Sequence, residues 1–316
     1  MCIRDSNKLN IASLKDVLGD MTLTNLLIEE LDLSQINFNG NTLTLQCKQL
    51  NKIVGSETFN GSLFLLPKDC RLTEFTLEGI SNIQGDFQCI DYFYVKEFVM
   101  PFIRVAGDMT IALNSGSVNT AAEIEFPKLQ EIGGTLTLGT NRNANNITFP
   151  LLKKILGSCS VTTYKLKNDI EFTNLESIGT DGADAQIKFE IEATNILCPK
   201  LKTINGKFDI ATSSFMFDME VDKVSYPNVE SISENLSITC PYSDFGSNGI
   251  LSIDFSGLKS AKGISISGQG DVTDFSSFKY LFENNVLTGE SQWSVKECGY
   301  NPTFQEMKDG KYKLAE

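Results

Sequence analysis

Apolar residues in this chain fall in pairs that flank one polar residue, and the pairs recur at regular intervals. One series reads Leu136-Thr137-Leu138, Cys159-Ser160-Val161, Ile187-Lys188-Phe189, Phe208-Asp209-Ile210, Leu236-Ser237-Ile238 and Ile264-Ser265-Ile266. Earlier members are Met21-Thr22-Leu23, Phe87-Gln88-Cys89 and Met109-Thr110-Ile111. A second series reads Ile124-Glu125-Phe126, Ile147-Thr148-Phe149, Ile170-Glu171-Phe172, Ile196-Leu197-Cys198, Val224-Ser225-Tyr226 and Ile253-Asp254-Phe255. Alternation with a period of two is the pattern of a strand with one buried face. Each triplet therefore predicts a short strand whose first and third side chains point inward.

The second series runs into a fixed corner. Phe126-Pro127-Lys128-Leu129-Gln130-Glu131-Ile132, Phe149-Pro150-Leu151-Leu152-Lys153-Lys154-Ile155 and Phe172-Thr173-Asn174-Leu175-Glu176-Ser177-Ile178 align without gaps. Cys198-Pro199-Lys200-Leu201-Lys202-Thr203-Ile204 and Tyr226-Pro227-Asn228-Val229-Glu230-Ser231-Ile232 continue them. Pro ends the preceding strand and withholds a donor, and Gly133, Gly157, Gly206 and Gly263 permit the reversal into the next strand. The frame extends upstream as Cys47/Leu50/Ile53, Leu77/Ile80/Ile83 and Met100-Pro101/Ile103, and downstream as Phe255/Leu258/Ala261, with a partial repeat at Leu14/Val17.

Consecutive Ile anchors lie about 22 to 30 residues apart, one solenoid coil. A single coil cannot bury its own apolar edge, whereas coils stacked about 4.8 Å apart form continuous ladders of like residues. The fold read from the chain is all-β: a right-handed parallel β-solenoid of about ten coils with two short strands each, over residues 7–274. Residues 275–316 read as a C-terminal cap, with a short helix over Phe275–Glu283 and Trp293-Ser294-Val295 as a last strand or extended cover. The first six residues, Met1-Cys2-Ile3-Arg4-Asp5-Ser6, read as the translation of a sequencing-library adaptor. They are set apart from the fold, and any signal or anchor is expected upstream of them.

At these repeats the chain resembles the receptor L-domain and leucine-rich-repeat-like surface proteins of Bacteroidetes, in which F-P-x-L-x-x-I-x-G-x-L-x-I units stack into a β-helix. The likeness covers most of Leu9 to Leu281, and the tail from Trp293 to Tyr312 is similar to the ends of such proteins. The resemblance implies export, often as a lipoprotein, an extracellular or outer-membrane surface-attached location, and an adhesive role. It supplies no catalytic residues.

Composition narrows the chemistry. The 316 residues contain no histidine, which excludes Ser-His-Asp and Cys-His catalysis and imidazole metal ligands. The formal charge of -13 disfavours nucleic acid, whose binding needs a basic surface. No apolar run reaches the roughly 18 residues needed to cross a bilayer. Beyond Cys2, the cysteines Cys47, Cys70, Cys89, Cys159, Cys198, Cys240 and Cys298 form neither a disulfide framework nor a zinc site by spacing. Several stand where sister repeats carry Leu, Phe or Ile, so they read as small core residues.

Three features are candidates for binding. The outward ladder Thr22, Gln88, Thr110, Thr137, Ser160, Lys188, Asp209, Ser237 and Ser265 is a flat recognition surface, or simply a solubilising face. The segments Ala211 to Lys223, with Phe215 and Phe217, and Cys240 to Gly249, with Tyr242 and Phe245, are long insertions after neighbouring strands. Insertions in solenoids collect where function is added, and these four aromatics form a binding platform if the segments adjoin, or pack the segments onto the solenoid flank. Tyr92 and Tyr94, with Phe93 between them, add to such a surface or fill a corner.

Asp218, Glu220 and Asp222, like Thr180-Asp181-Gly182-Ala183-Asp184, read as solvated loop acids better than as a calcium or acid/base site. The sequons at Asn60, Asn146 and Asn235 read as chance in a bacterial protein. The expected function is a non-catalytic binding or adhesion module for a host or bacterial surface protein or glycan, without cofactor or metal. The alternatives are a structural spacer and, further off, a β-helical polysaccharide-active enzyme.

Overall fold

The structure, a computed structural model, describes all residues except 1, 5–8, 10, 12, 25–26, 67–73, 91–96, 114–121, 141–143, 163–167, 183–184, 192–194, 213–222, 240–251, 269–270 and 316. They fall into two compact units, Met1–Gly157 with Lys165–Glu171, and Ser158–Tyr164 with Phe172–Glu316. Each unit is a parallel β-solenoid.

In the first unit the front sheet pairs Met21–Thr24, Thr42–Gln46, Ser62–Leu65, Phe87–Ile90, Met109–Leu113 and Leu136–Thr140, every neighbour parallel. The register joins Leu23, Leu45, Leu65, Cys89, Ile111 and Leu138 into one inward ladder, each at most 1% exposed. Fully burying a side chain of this size stabilises by about 1.5–3 kcal/mol, so such ladders carry most of the fold. Two of these strands, Thr42–Gln46 and Ser62–Leu65, are additional to those expected from the sequence. Cys2–Arg4 pairs on Met21–Thr24 as well, because an open sheet edge templates any extended segment of suitable length.

In the second unit the front strands are Cys159–Thr162, Ala185–Ile191, Gly206–Thr212, Asn235–Thr239, Gly263–Ser267 and Trp293–Lys296. Trp293-Ser294-Val295 is thus a true last strand, with Trp293 opposite Ile264. The expected helix is present as a 3-10 turn over Ser276–Phe278 followed by an α-helix over Lys279–Glu283. The rings of Phe275, Phe278 and Phe282 meet Trp293 edge-on at 5.1–6.1 Å, and the indole N–H donates to the Pro302 carbonyl at 2.9 Å. A further helix, Phe304–Lys308, is closed by a capping box between Thr303 and Glu306.

The corners behave as turns. The N–H of Leu129 donates to Phe126 O at 3.3 Å, and Leu201, Val229 and Leu258 repeat the bond to Cys198, Tyr226 and Phe255. Pro at the second position of such a turn has its φ preset, so it shapes the corner besides ending the strand. After the turn, Glu131–Ile132 and its equivalents form a third, two-residue strand in most coils, giving a sheet that joins Thr58–Phe59, Asn82–Ile83, Arg104–Val105, Glu131–Ile132 and Lys154–Ile155 in the first unit.

Two parts of the repeat frame shift in the structure. Ile53 pairs with Leu77, while Ile83 pairs with Phe59. Ile53 is therefore the first anchor of its corner, and Cys47/Leu50/Ile53 is a run of buried residues around a different bend. At Met100-Pro101 the corner is one residue shorter, so Phe102 is fully buried and Ile103 is 36% exposed.

The glycines act by permitting close approach. Gly133, Gly157, Gly206 and Gly263 are absent from the positive-φ residues, but a Cβ on Gly133 or Gly206 would collide with the carbonyl of Ala106 or Ala185. A column of Gly N–H to Gly O bonds links Gly61, Gly85, Gly107, Gly134 and Gly157 at 2.9–3.0 Å. Beside it, Asp86 Oδ1 accepts from Asp108 N at 2.8 Å and Asp108 Oδ1 accepts from Thr135 N at 2.6 Å. A Cβ on Gly107 or Gly134 would occupy the place of those carboxylates. Gly-Asp is thus an inter-coil clip.

Candidate functional site: the front sheet

The front strands present every second side chain outward, because the pleat alternates faces. In the first unit the register sets Thr22, Thr44, Phe64, Gln88, Thr110 and Thr137 in one column. In the second it sets Ser160, Lys188, Asp209, Ser237, Ser265 and Ser294 in one column. All nine expected ladder residues occupy the expected register, and Thr44, Phe64 and Ser294 join them. Asp209 is paired within its own strand, 3.0 Å from Lys207 Nζ.

Phe64 differs from the other aromatic residues of these strands. Phe87, Phe189 and Phe208 are fully buried and Trp293 is 5% exposed, whereas Phe64 lies half-buried on the outward face. Beside it on the same face stand Leu66 and Ile90, also half-buried. Thr44, Gln46, Gln88 and Thr110 surround them. The signal for this patch was present in Leu63-Phe64-Leu65, since the two leucines mark the residue between them as outward.

Phe215, Phe217, Tyr242, Phe245, Tyr92 and Tyr94 lie outside the described residues, as do Phe93, Asp218, Glu220, Asp222 and Asp184. The residues bounding the two long segments are described. Ala211 is opposite Thr239, and Lys223 is opposite Ser252, so both segments leave and rejoin the solenoid on neighbouring rungs. Asp181 is exposed beside Gly182, whose φ is +77°. Asn60 and Asn235 are exposed and Asn146 is half-buried.

The buried titratable groups are chemically quiet. Cys159, Cys198 and Tyr226 sit in the core of the second unit, and burial holds both thiols and the phenol protonated, with their mutual proximity adding to the effect on Cys198 and Tyr226. A thiol acts as a nucleophile through its thiolate, so neither cysteine is poised for reaction. Tyr226 places its hydroxyl 3.0 Å from the Ile196 carbonyl and donates to it. Cys47 and Cys89 are likewise core residues, while the side chains of Cys2, Cys70 and Cys240 lie outside the described residues.

Among the described residues no group of three or more Cys, Asp or Glu side chains is arranged to hold a metal ion, and no helix is long and apolar enough to cross a membrane. Two grooves lie at strand edges. One, of about 460 Å³, runs along Glu30–Asp32 between Ile11, Ile28 and Ile36. The other, of about 510 Å³, follows Trp293–Lys296 beside Asn301–Gln305. No protein-family model, curated protein or solved structure matches the chain.

Proposed function

We propose that this protein is a non-catalytic recognition module displayed outside the cell, attached to the bacterial surface, with its front sheet as the contact face for a surface protein or glycan. The observation that carries this reading is the unbroken, in-register column of outward side chains in each unit, polar at every position except Phe64. A face of aligned side chains on a hydrogen-bonded sheet is rigid before a partner arrives, which lowers the ordering cost of binding. The absence of histidine and the protonated core thiols support assigning no catalytic role. The likeness to surface-exposed leucine-rich-repeat-like proteins supports the location.

The test is retention of the intact chain, coupled to fluorescent beads, on epithelial and bacterial cells. Saturable retention that soluble protein competes away is the expected outcome. No retention on either, together with unchanged attachment of a strain lacking the gene, would leave a structural spacer.

A further inference from the structure

We infer that the patch centred on Phe64 is a subsite for a neutral glycan, the ring stacking on a sugar face while Thr44, Gln46, Gln88 and Thr110 hydrogen-bond its hydroxyls. This inference rests on the front sheet being a recognition face. Phe64 is opposite Thr44 on one neighbouring strand and Gln88 on the other, so a hydroxyl and an amide flank the ring at the rung spacing of about 4.8 Å. Gln46 lies two residues beyond Thr44 on the same face, about 7 Å along the strand.

The chemistry selects the ligand. The outward side chains on these strands from Thr42 to Ala112 are Thr, Gln, Phe, Leu, Ile and Ala, with Ser62 before Phe64. Among the described residues, the acids that precede these strands, Asp20, Asp86 and Asp108, each direct a carboxylate oxygen at a backbone N–H of the next coil. The outward side chains of these strands, among the described residues, carry no charge and offer no ionic partner to a polyanion or polycation. Amides and hydroxyls both donate and accept, which suits a ligand whose groups do the same.

An aromatic ring adds a flat apolar area at low conformational cost. Half-buried Leu66 and Ile90 widen that area. A neutral pyranose, with one C–H face and a rim of hydroxyls, matches this arrangement better than a protein hot spot, where charged or larger aromatic anchors prevail.

The experiment is affinity electrophoresis of the intact chain in gels containing hydroxyethyl cellulose, xylan or mannan, with hyaluronate as the anionic control. The expected result is retardation in at least one neutral polysaccharide and none in hyaluronate. Phe64→Ala should weaken it roughly tenfold or more, Phe64→Trp should keep it, and Lys153→Ala, exposed at a corner off the front sheet, should leave it unchanged. Thermal melts of each variant, matching the parent, exclude misfolding, since Phe64 is outside the core.

Retardation equal in Phe64→Ala and the parent overturns the inference. So does failure to bind any neutral polysaccharide while beads carrying the chain are still retained by cells, an outcome that leaves the recognition reading standing. Failure in both assays removes both.

Discussion

Adjacent corners are filled by like residues at Phe126 and Phe149 in the first unit and by unlike residues at Cys198 and Tyr226 in the second, and the contrast shows what a solenoid tolerates. In the first unit Phe126 and Phe149 repeat the same residue, and their rings stack with centroids 4.8 Å apart and planes 1° from parallel. In the second unit Cys198 and Tyr226 take the equivalent corner positions. Tyr226 reaches back one rung to the Ile196 carbonyl, two residues before Cys198, and is 2% exposed. Its ring also meets Phe208 and Phe255 at 5.5 and 5.7 Å. Like residues complete the ladder by repetition alone. Unlike residues must match in volume, and a buried hydroxyl must find an acceptor.

The largest effect is expected from breaking the repetitive column. Phe126→Ala should cost about 3–5 kcal/mol, because it removes a fully buried ring and leaves a cavity between rigid rungs. Urea unfolding followed by circular dichroism measures it, and a loss below about 1 kcal/mol would mean that the stack collapses onto the gap.

The paired substitution in the second unit should behave differently. Cys198→Phe restores the sister-repeat residue yet should destabilise by about 1–3 kcal/mol, since the added ring competes with the Tyr226 hydroxyl for space. Tyr226→Phe by itself should cost about 1–2 kcal/mol, leaving the Ile196 carbonyl without this donor. The double variant should recover part of the first loss, so a double-mutant cycle should give a coupling of at least about 0.5 kcal/mol. Additive losses would show that the two positions are independent.

The smallest effect is a dependence on alkaline pH to which the buried thiols and phenol of the second column contribute. Burial raises Cys198 and Tyr226 well above their ordinary values of 9.0 and 10.0, and raises Cys159 in the same direction. The unfolded chain therefore releases these protons first. Their contribution is full below the unfolded values and declines as pH rises past about 8 to 10, with a slope approaching about 1.4 kcal/mol per pH unit for each group. Stability from urea unfolding should fall by about 1 kcal/mol in total between pH 7 and 9, and Cys159→Ala with Cys198→Ala should flatten the fall. An unchanged slope in that variant would assign the alkaline loss elsewhere.

Much of the fold could be read directly from the chain because the repeat is local. Phe126 to Ile132 contains its own turn, strand end and inward anchors, and the same seven-residue pattern recurs. The strands over Thr42–Gln46 and Ser62–Leu65 escaped because Phe64 replaces the polar middle residue and because Cys47, Leu50 and Ile53 mimic the spacing of a corner. The helix at Phe304–Lys308 is announced only by Thr303-Phe304-Gln305-Glu306, a capping-box pattern on a helix of five residues. The front-sheet part of the site was legible by face, while its aromatic centre at Phe64 was hidden by the assumption that the middle residue is polar.

Sequence by itself determined the strand periodicity, the Pro-x-Leu-x-x-Ile corner, the inward ladders and the polar character of most of the outward column. Those properties depend on residues within one coil, where side-chain alternation and turn chemistry act over a few positions. Only the tertiary structure decided which rungs are neighbours and what passes between them. The Gly-Asp clip, the reach of Tyr226 to Ile196 and the placing of Phe64 between Thr44 and Gln88 each join residues 20 or more positions apart. Their geometry depends on the register of one coil on the next, which no single coil specifies.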